Sequence, residues 1–349
     1  MAVAGSIELI LGPMFAGKTT ELLRRITRFE LAKKTCVVMK YSKDTRYSSE
    51  SVSTHDLQMR SAISCSLLMS HIQECMKFDV IGVDEGQFFA DIVEFSDYLA
   101  NHGKIVIIAG LDGDFQRKPF GHILELIPKC ESLTKISAVC TETGKDATFT
   151  QRTVESTELE LIGGADLYRA ASRASYFHQD PRKTGDIHLI IGPVLSGKTT
   201  ELLRVLNRHH LAGRKTLLIH QNNPQLKKVP SYKQMICSTL PKFEEISEFD
   251  AIGVDNAEKF DGIANWADSL ANQGKRVYVA AIQGNTNGEM YPEIMQLFSY
   301  SEYADKLASV CPITGLSASF NLLTQNTQVI PISRLALLRY KEYFLNNKE

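Results

Sequence analysis

Gly17–Arg24 reads GKTTELLR, and Gly197–Arg204 reads GKTTELLR again, 180 positions further on. A second pair of stretches, FDVIGVDEGQFF from Phe78 and FDAIGVDNAEKF from Phe249, keeps the same order at a spacing of 171. A solenoid unit runs to about 20–50 residues, so a repeat of this length is a whole domain and the chain reads as a tandem duplication. The polar stretch HQDPRKTG, His178–Gly185, separates the copies, and an apolar strand pattern restarts after it. The expected division is residues 1–179, a linker at 180–185, and residues 186–349.

Within the first copy, runs rich in Val and Ile (IELIL, TCVVM, DVIGV, KIVIIA) alternate with helical spacing such as TELLRRITRFELA. The second copy repeats the alternation with IHLII, TLLIH, DAIGV and RVYVAA. Strands apolar on nearly every residue are covered on both faces, which favours an α/β fold with a mostly parallel sheet flanked by helices.

The 349 residues suffice for two such domains. At 44% hydrophobic and 23% charged residues, with formal net charge -1, the composition argues against disorder and against a basic nucleic-acid-coating surface. Neither nucleic acid nor membrane is an expected partner. The N-terminal stretch MAVAGSIELILGPMFAGKTT reads as a buried strand entering a glycine loop rather than a signal peptide. Seven cysteines, none in a C-x-x-C pair, fit a reducing, cytoplasmic compartment.

Gly12–Thr19, GPMFAGKT, fits G-x-x-x-x-G-K-[ST] between an expected strand and an expected helix, the setting of a phosphate-binding P-loop. Gly12, Met14, Phe15, Ala16, Gly17, Lys18, Thr19 and Thr20 are the candidate ATP-binding residues. Backbone N–H groups and the helix dipole would meet phosphate oxygens, Lys18 would neutralise charge, and Thr19 would ligate Mg²⁺. The second copy has the same parts in GPVLSGKT, with Lys198 and Thr199. A glycine turn also serves strand-to-helix packing, so the second loop reads equally as an anion site or a retained fold element.

Asp84 and Glu85 follow the strand DVIGV, where a parallel sheet presents its ligands. Asp84 suits a Mg²⁺ role and Glu85 that of a general base for an attacking hydroxyl. The second copy has Asp255 and Asn256, and an amide cannot accept a proton as a carboxylate does. Glu258 stands nearby, but two residues further on it is expected to point elsewhere.

GPMFAGKTTELLRR, KYSKDTRYSS, DEGQFF, LDGDFQRKPFG and VIGGADLY together resemble the cellular, type II thymidine kinases over the whole first copy. The resemblance implies a P-loop NTPase-like fold with a small lasso-type subdomain in each copy. It also implies transfer of the ATP γ-phosphate to the 5′-hydroxyl of thymidine, with Mg²⁺. Glu85 would be the base, and Arg46 would orient phosphate. Met14, Phe88, Leu111, Phe115 and Tyr168 would line the thymidine pocket, with backbone of Ile162, Gly163 and Gly164 at the base edge. Taken from the residues alone, Phe88, Leu111 and Phe115 read more simply as core packing. The resemblance further implies dTTP as a feedback inhibitor and, since the family commonly forms tetramers, a homodimer of this chain as a pseudo-tetramer.

The family's four-cysteine zinc ribbon is replaced here by Cys140, Thr143, Ser172 and Ser175, so no zinc is expected. The second copy has QGNTNGEMYPE, Gln283–Glu293, in place of LDGDFQRKPFG, and lacks the arginine and the Gly-Gly-Ala-Asp motif. It reads as an inactive structural partner. Two rival readings are a nucleotide sensor, which intact Asp84, Glu85 and Arg46 disfavour, and a nucleic-acid-coupled ATPase, which the charge balance disfavours.

Overall fold

The computed structural model describes residues 4–42, 51–53, 59–154, 164, 166–223, 226, 232–324 and 326–346. Arg46, Ile162 and Gly163 lie outside the described residues. The first sheet is formed by β1 (Ser6–Leu11), β2 (Cys36–Tyr41), β3 (Ile63–Cys65), β4 (Val80–Val83), β5 (Ile105–Gly110) and β6 (Ser132–Lys135). Its spatial order is β3-β2-β4-β5-β1-β6, and every pairing is parallel. A separate antiparallel hairpin pairs β7 (Phe149–Arg152) with β8 (Tyr168–Ala171).

The second copy repeats this plan with β9 (Asp186–Gly192), β10 (Thr216–His220), β11 (Lys233–Ile236), β12 (Ala251–Val254), β13 (Arg276–Ile282) and β14 (Tyr303–Lys306). The order β11-β10-β12-β13-β9-β14 is the same permutation, again all parallel. Its hairpin pairs β15 (Phe320–Leu323) with β16 (Val329–Ile332). The expectation of a mostly parallel sheet therefore holds in both copies. Each of the eight apolar runs overlaps one of the sheet strands.

α1 (Lys18–Leu31) follows β1 and buries Leu22 and Leu23 and, one turn on, Ile26 against one face of the sheet. It lies so close that a Cβ on Gly82 in β4 would stand 3.2 Å from Ile26 Cδ1. The glycine of DVIGVDE thus sets the distance between helix and sheet, and with it the approach of the P-loop to Asp84. Against the opposite face pack α2 (Ile92–Asn101) in the first copy and, in the second, α4 (Ile263–Asn272) and α5 (Pro292–Tyr300); α3 (Lys198–Leu211) is the counterpart of α1. One hydrophobic core, including Phe95, Leu99 and Ile127 of the first copy and Ala267, Leu297 and Phe298 of the second, runs through both.

Edge strands β6 and β14 lie against each other, so each copy covers an edge of the other. Where the second copy has α5, the first has a 3-10 stretch, Ile123–Lys129, containing Pro128. No helix among the described residues is long and apolar enough to cross a membrane.

Candidate active site

The turn between β1 and α1 passes through left-handed conformations at Phe15 (φ 66°) and Gly17 (φ 80°). The second copy reproduces them at Leu195 (φ 60°) and Gly197 (φ 84°). A Cβ on Gly12 would stand 2.2 Å from the carbonyl oxygen of Ile136, which explains the first glycine of the motif. Lys18 is buried and donates from Nζ to the Pro13 carbonyl at 2.7 Å; Lys198 does the same to Pro193 at 2.6 Å.

Asp84, at the C-terminal end of β4, is 9% exposed and accepts from Thr19 Oγ1 at 3.0 and 3.1 Å. Burial raises its pKa, and the neighbouring Glu85 carboxylate raises it further, against the Thr19 hydrogen bond and the Lys18 charge. A divalent cation would relieve that pressure. Thr19 hydroxyl and Asp84 carboxylate are hard oxygen donors side by side, a donor set suited to Mg²⁺, which keeps most of its own water. No larger cluster of His, Cys, Asp or Glu disposed to hold a metal occurs among the described residues.

Glu85 sits at φ 54°, ψ 44°, a left-handed turn that directs the chain away from the strand end. Its Oε2 accepts from Gln87 Nε2 at 2.7 Å, while Gln87 Oε1 accepts from the Leu111 amide at 2.9 Å. Gln87 is 3% exposed and ties the carboxylate to the start of the 111–120 loop. Sequence reasoning passed over this residue, although its place in DEGQFF was a signal.

Of the expected nucleoside-pocket residues, Leu111 and Tyr168 are buried, and Met14, Phe88 and Phe115 are partly buried. Arg152, also not foreseen, joins two of them: its guanidinium lies 3.8 Å from the Phe115 ring centroid and donates to Tyr168 Oη at 2.8 Å. Met14 is tied to the hairpin, its amide donating to Thr150 Oγ1 at 3.0 Å. Phe88 stacks on Tyr41 at 5.2 Å and meets Phe120 edge-on at 5.4 Å. Gly164 accepts from the Tyr168 amide at 3.0 Å.

The second copy's centre is wired differently. Asp255 accepts from Thr199 through Oδ1 at 2.8 Å and, through Oδ2, from Asn223 Nδ2 at 2.9 Å and Asn256 Nδ2 at 3.0 Å, so two amides share one carboxylate oxygen. Glu258 takes the place of Gln87 and accepts from the Ile282 amide at 3.1 Å. One of its carboxylate oxygens is thus held by the backbone, while Oε1 is buried without a hydrogen-bond partner.

At the ribbon positions, Thr143 and Ser172 share a hydrogen bond of 2.9 Å, Ser172 Oγ caps the Ser175 amide at 3.3 Å, and Ser175 donates to Glu142. The second copy repeats the pair as Thr314 and Ser333 at 3.0 Å, beside Cys311. Burial opposes ionisation of Cys140, yet the Thr143 and Ser172 donors together draw it down to about 6. One thiol among hydroxyls does not match the four N or S donors of structural zinc, and hydrogen bonds join the same chain segments instead.

A family model for thymidine kinase matches residues 5–176 and again residues 185–334. The chain is 54% identical over 173 residues to the human cytosolic thymidine kinase, covering 50% of this chain and 74% of that one. It is 51% identical over 181 residues to the chicken (Gallus gallus) cytosolic thymidine kinase, covering 52% and 81%. The sheeppox virus thymidine kinase is 54% identical over 173 residues, covering 50% and 97%. With the duplicated match spanning nearly its whole length, on a duplicated P-loop α/β fold, the chain belongs to the thymidine kinase family.

Proposed function

We propose that this chain phosphorylates the 5′-hydroxyl of thymidine from ATP at one centre, in residues 1–179, and that residues 186–349, after a linker at 180–185, act as a structural partner. The observation that carries this reading is the Glu85–Gln87–Leu111 chain of hydrogen bonds beside Asp84 and Thr19, set against Asn256 and a backbone-bound Glu258 in the second copy.

In this mechanism the P-loop amides, Lys18 and the α1 N-terminus hold the triphosphate, with Arg46 adding positive charge. Mg²⁺, held by Thr19 and Asp84, supplies electrostatic stabilisation of the phosphates when bound. Glu85 accepts the proton of the thymidine 5′-hydroxyl as that oxygen attacks the γ-phosphorus and the bond to ADP breaks. Met14, Phe88, Leu111, Phe115 and Tyr168 enclose the base, with the backbone of Ile162 to Gly164 at its edge. Thymidine, ATP and, as an end-product inhibitor, dTTP are the proposed ligands, and a homodimer with four kinase-like domains is the proposed assembly. The cytoplasm is the proposed compartment.

ATP-dependent phosphorylation of thymidine tests the reading. Glu85→Gln should lower kcat by about 10²–10⁴-fold, the usual contribution of a positioned base. Asn256→Ala should leave kcat unchanged. Activity that survives Glu85→Gln places the base elsewhere.

A further inference from the structure

The two copies are joined by a reciprocal pair of arginines. Arg173 of the first copy donates to Glu302, Asp268, Asn272 and the Tyr300 carbonyl of the second. Arg334 of the second donates to Glu131, Asp97, Asn101 and the Lys129 carbonyl of the first. The four acceptors correspond one to one between the copies, as in a two-fold interface.

At Arg117 the symmetry breaks. Arg117, in the 111–120 loop, pairs through Nη1 and Nη2 with both carboxylate oxygens of Asp268 at 2.8 and 2.9 Å, both side chains largely buried. Its guanidinium also lies 4.4 Å from the Phe177 and 4.5 Å from the Tyr300 ring centroids. The backbone at Arg117 is left-handed, φ 62°, a conformation costly for an arginine unless its surroundings enforce it. The corresponding position in the second copy is Gly288, φ 78°, so Asp97 has no such partner there.

The second copy grips the same loop at two further points. Gln296 Nε2 donates to the Arg117 carbonyl at 3.0 Å, and Ser299 Oγ donates to the Asp112 carbonyl at 2.9 Å. This loop begins at Leu111, which Gln87 links to Glu85, and carries Phe115, held through its carbonyl by Tyr176 at 2.8 Å.

We propose that Asp268, in the non-catalytic copy, is a positioning residue for the nucleoside pocket of the first: through Arg117 it holds the 111–120 loop in its binding shape. This rests on the reading that the first copy is the thymidine site. The second copy then does more than complete a core, because the pocket is incomplete in shape without it.

The test compares steady-state kinetics of the full chain with Asp268→Asn, Gln296→Ala and, as a symmetry control, Asp97→Asn, which loosens the matching arginine clamp but touches no Arg117 counterpart. Asp268→Asn should raise the thymidine KM by about tenfold and Gln296→Ala by about threefold, with the ATP KM unchanged, the pattern of lost substrate binding. Asp97→Asn should leave both KM values within about twofold. A merely structural role would lower the active fraction, and so kcat, without moving the thymidine KM alone. An unmoved thymidine KM in Asp268→Asn, or an equal rise in Asp97→Asn, overturns the proposal. If Asp268→Asn fails to fold, an unmoved KM in Gln296→Ala overturns it. An unsubstituted chain that does not phosphorylate thymidine overturns the underlying catalytic reading instead.

Discussion

Gln87 suits its place because a primary amide offers a donor at one end and an acceptor at the other, and here each is used, toward Glu85 and toward Leu111. A glutamate there, as Glu258 in the second copy, accepts from the Ile282 amide but has no N–H to donate. Gln87→Leu should therefore leave the fold intact while removing the Gln87 hydrogen bond from the Glu85 carboxylate. A misplacement of about 1 Å costs on the order of 10²-fold in rate, and kcat for thymidine should fall by about that much with ATP KM little changed. Stopped-flow or steady-state kinetics reads the effect; an unchanged kcat would mean that the Gln87 hydrogen bond does not aim the carboxylate. The two carboxylates were legible in the sequence because a strand ending in Asp-Glu has few other uses. Gln87 and Arg152 were not, since their roles depend on which amide or ring lies opposite.

At the scale of elements, the P-loop, α1 and β4 form one unit whose spacing is set by small residues. Gly12 faces the Ile136 carbonyl, and Gly82 faces Leu22 and Ile26. Gly12→Ala puts a methyl carbon 2.2 Å from that oxygen, so either the loop or the strand end must move. ATP affinity should fall at least about tenfold, the equivalent of 1.4 kcal/mol, by nucleotide titration. Retained affinity would mean that the loop shifts without losing its amide cradle. The central strands were readable because burial on both faces leaves only apolar residues. The edge strands β3, β6, β11 and β14 were not read, since sequences such as SLTK and YADK are half-exposed and match no simple period. The α5 helix also has no α-helical counterpart in the first copy, where the same region is a 3-10 stretch containing Pro128.

At the scale of the molecule, the arginine pair ties the two copies together through buried ion pairs. Arg173 and Arg334 have side chains only 2% and 3% exposed, and burial, though it disfavours the charged form, is outweighed by the carboxylates around each, which raise both pKa values. Removing one partner of a buried ion pair strands the other, at a cost of about 3–5 kcal/mol. Arg173→Ala and Arg334→Ala should each lower unfolding free energy by about that amount in denaturant titrations, and the unsubstituted chain should unfold in a single transition. A loss under about 1 kcal/mol in either variant would show water reaching the stranded carboxylates. Separate transitions for the copies would show that the shared core does not couple them.

The sequence by itself determined the duplication, the parallel α/β plan, the P-loop and the Asp84–Glu85 pair, along with the replacement of Glu85 by Asn256 in the second copy. These are local in cause: periodicity and glycine placement act within a few residues, and identity at one position decides whether a proton can be accepted. Only the tertiary structure decided how the copies meet, that Gln87 joins the acidic turn to the 111–120 loop, and that Asp268 of one copy holds Arg117 of the other. Asp97 and Asp268 occupy equivalent positions on equivalent helices and are identical in type. Their difference lies in what faces them, an arginine on one side and a glycine on the other, and that pairing exists only once the two halves have packed together.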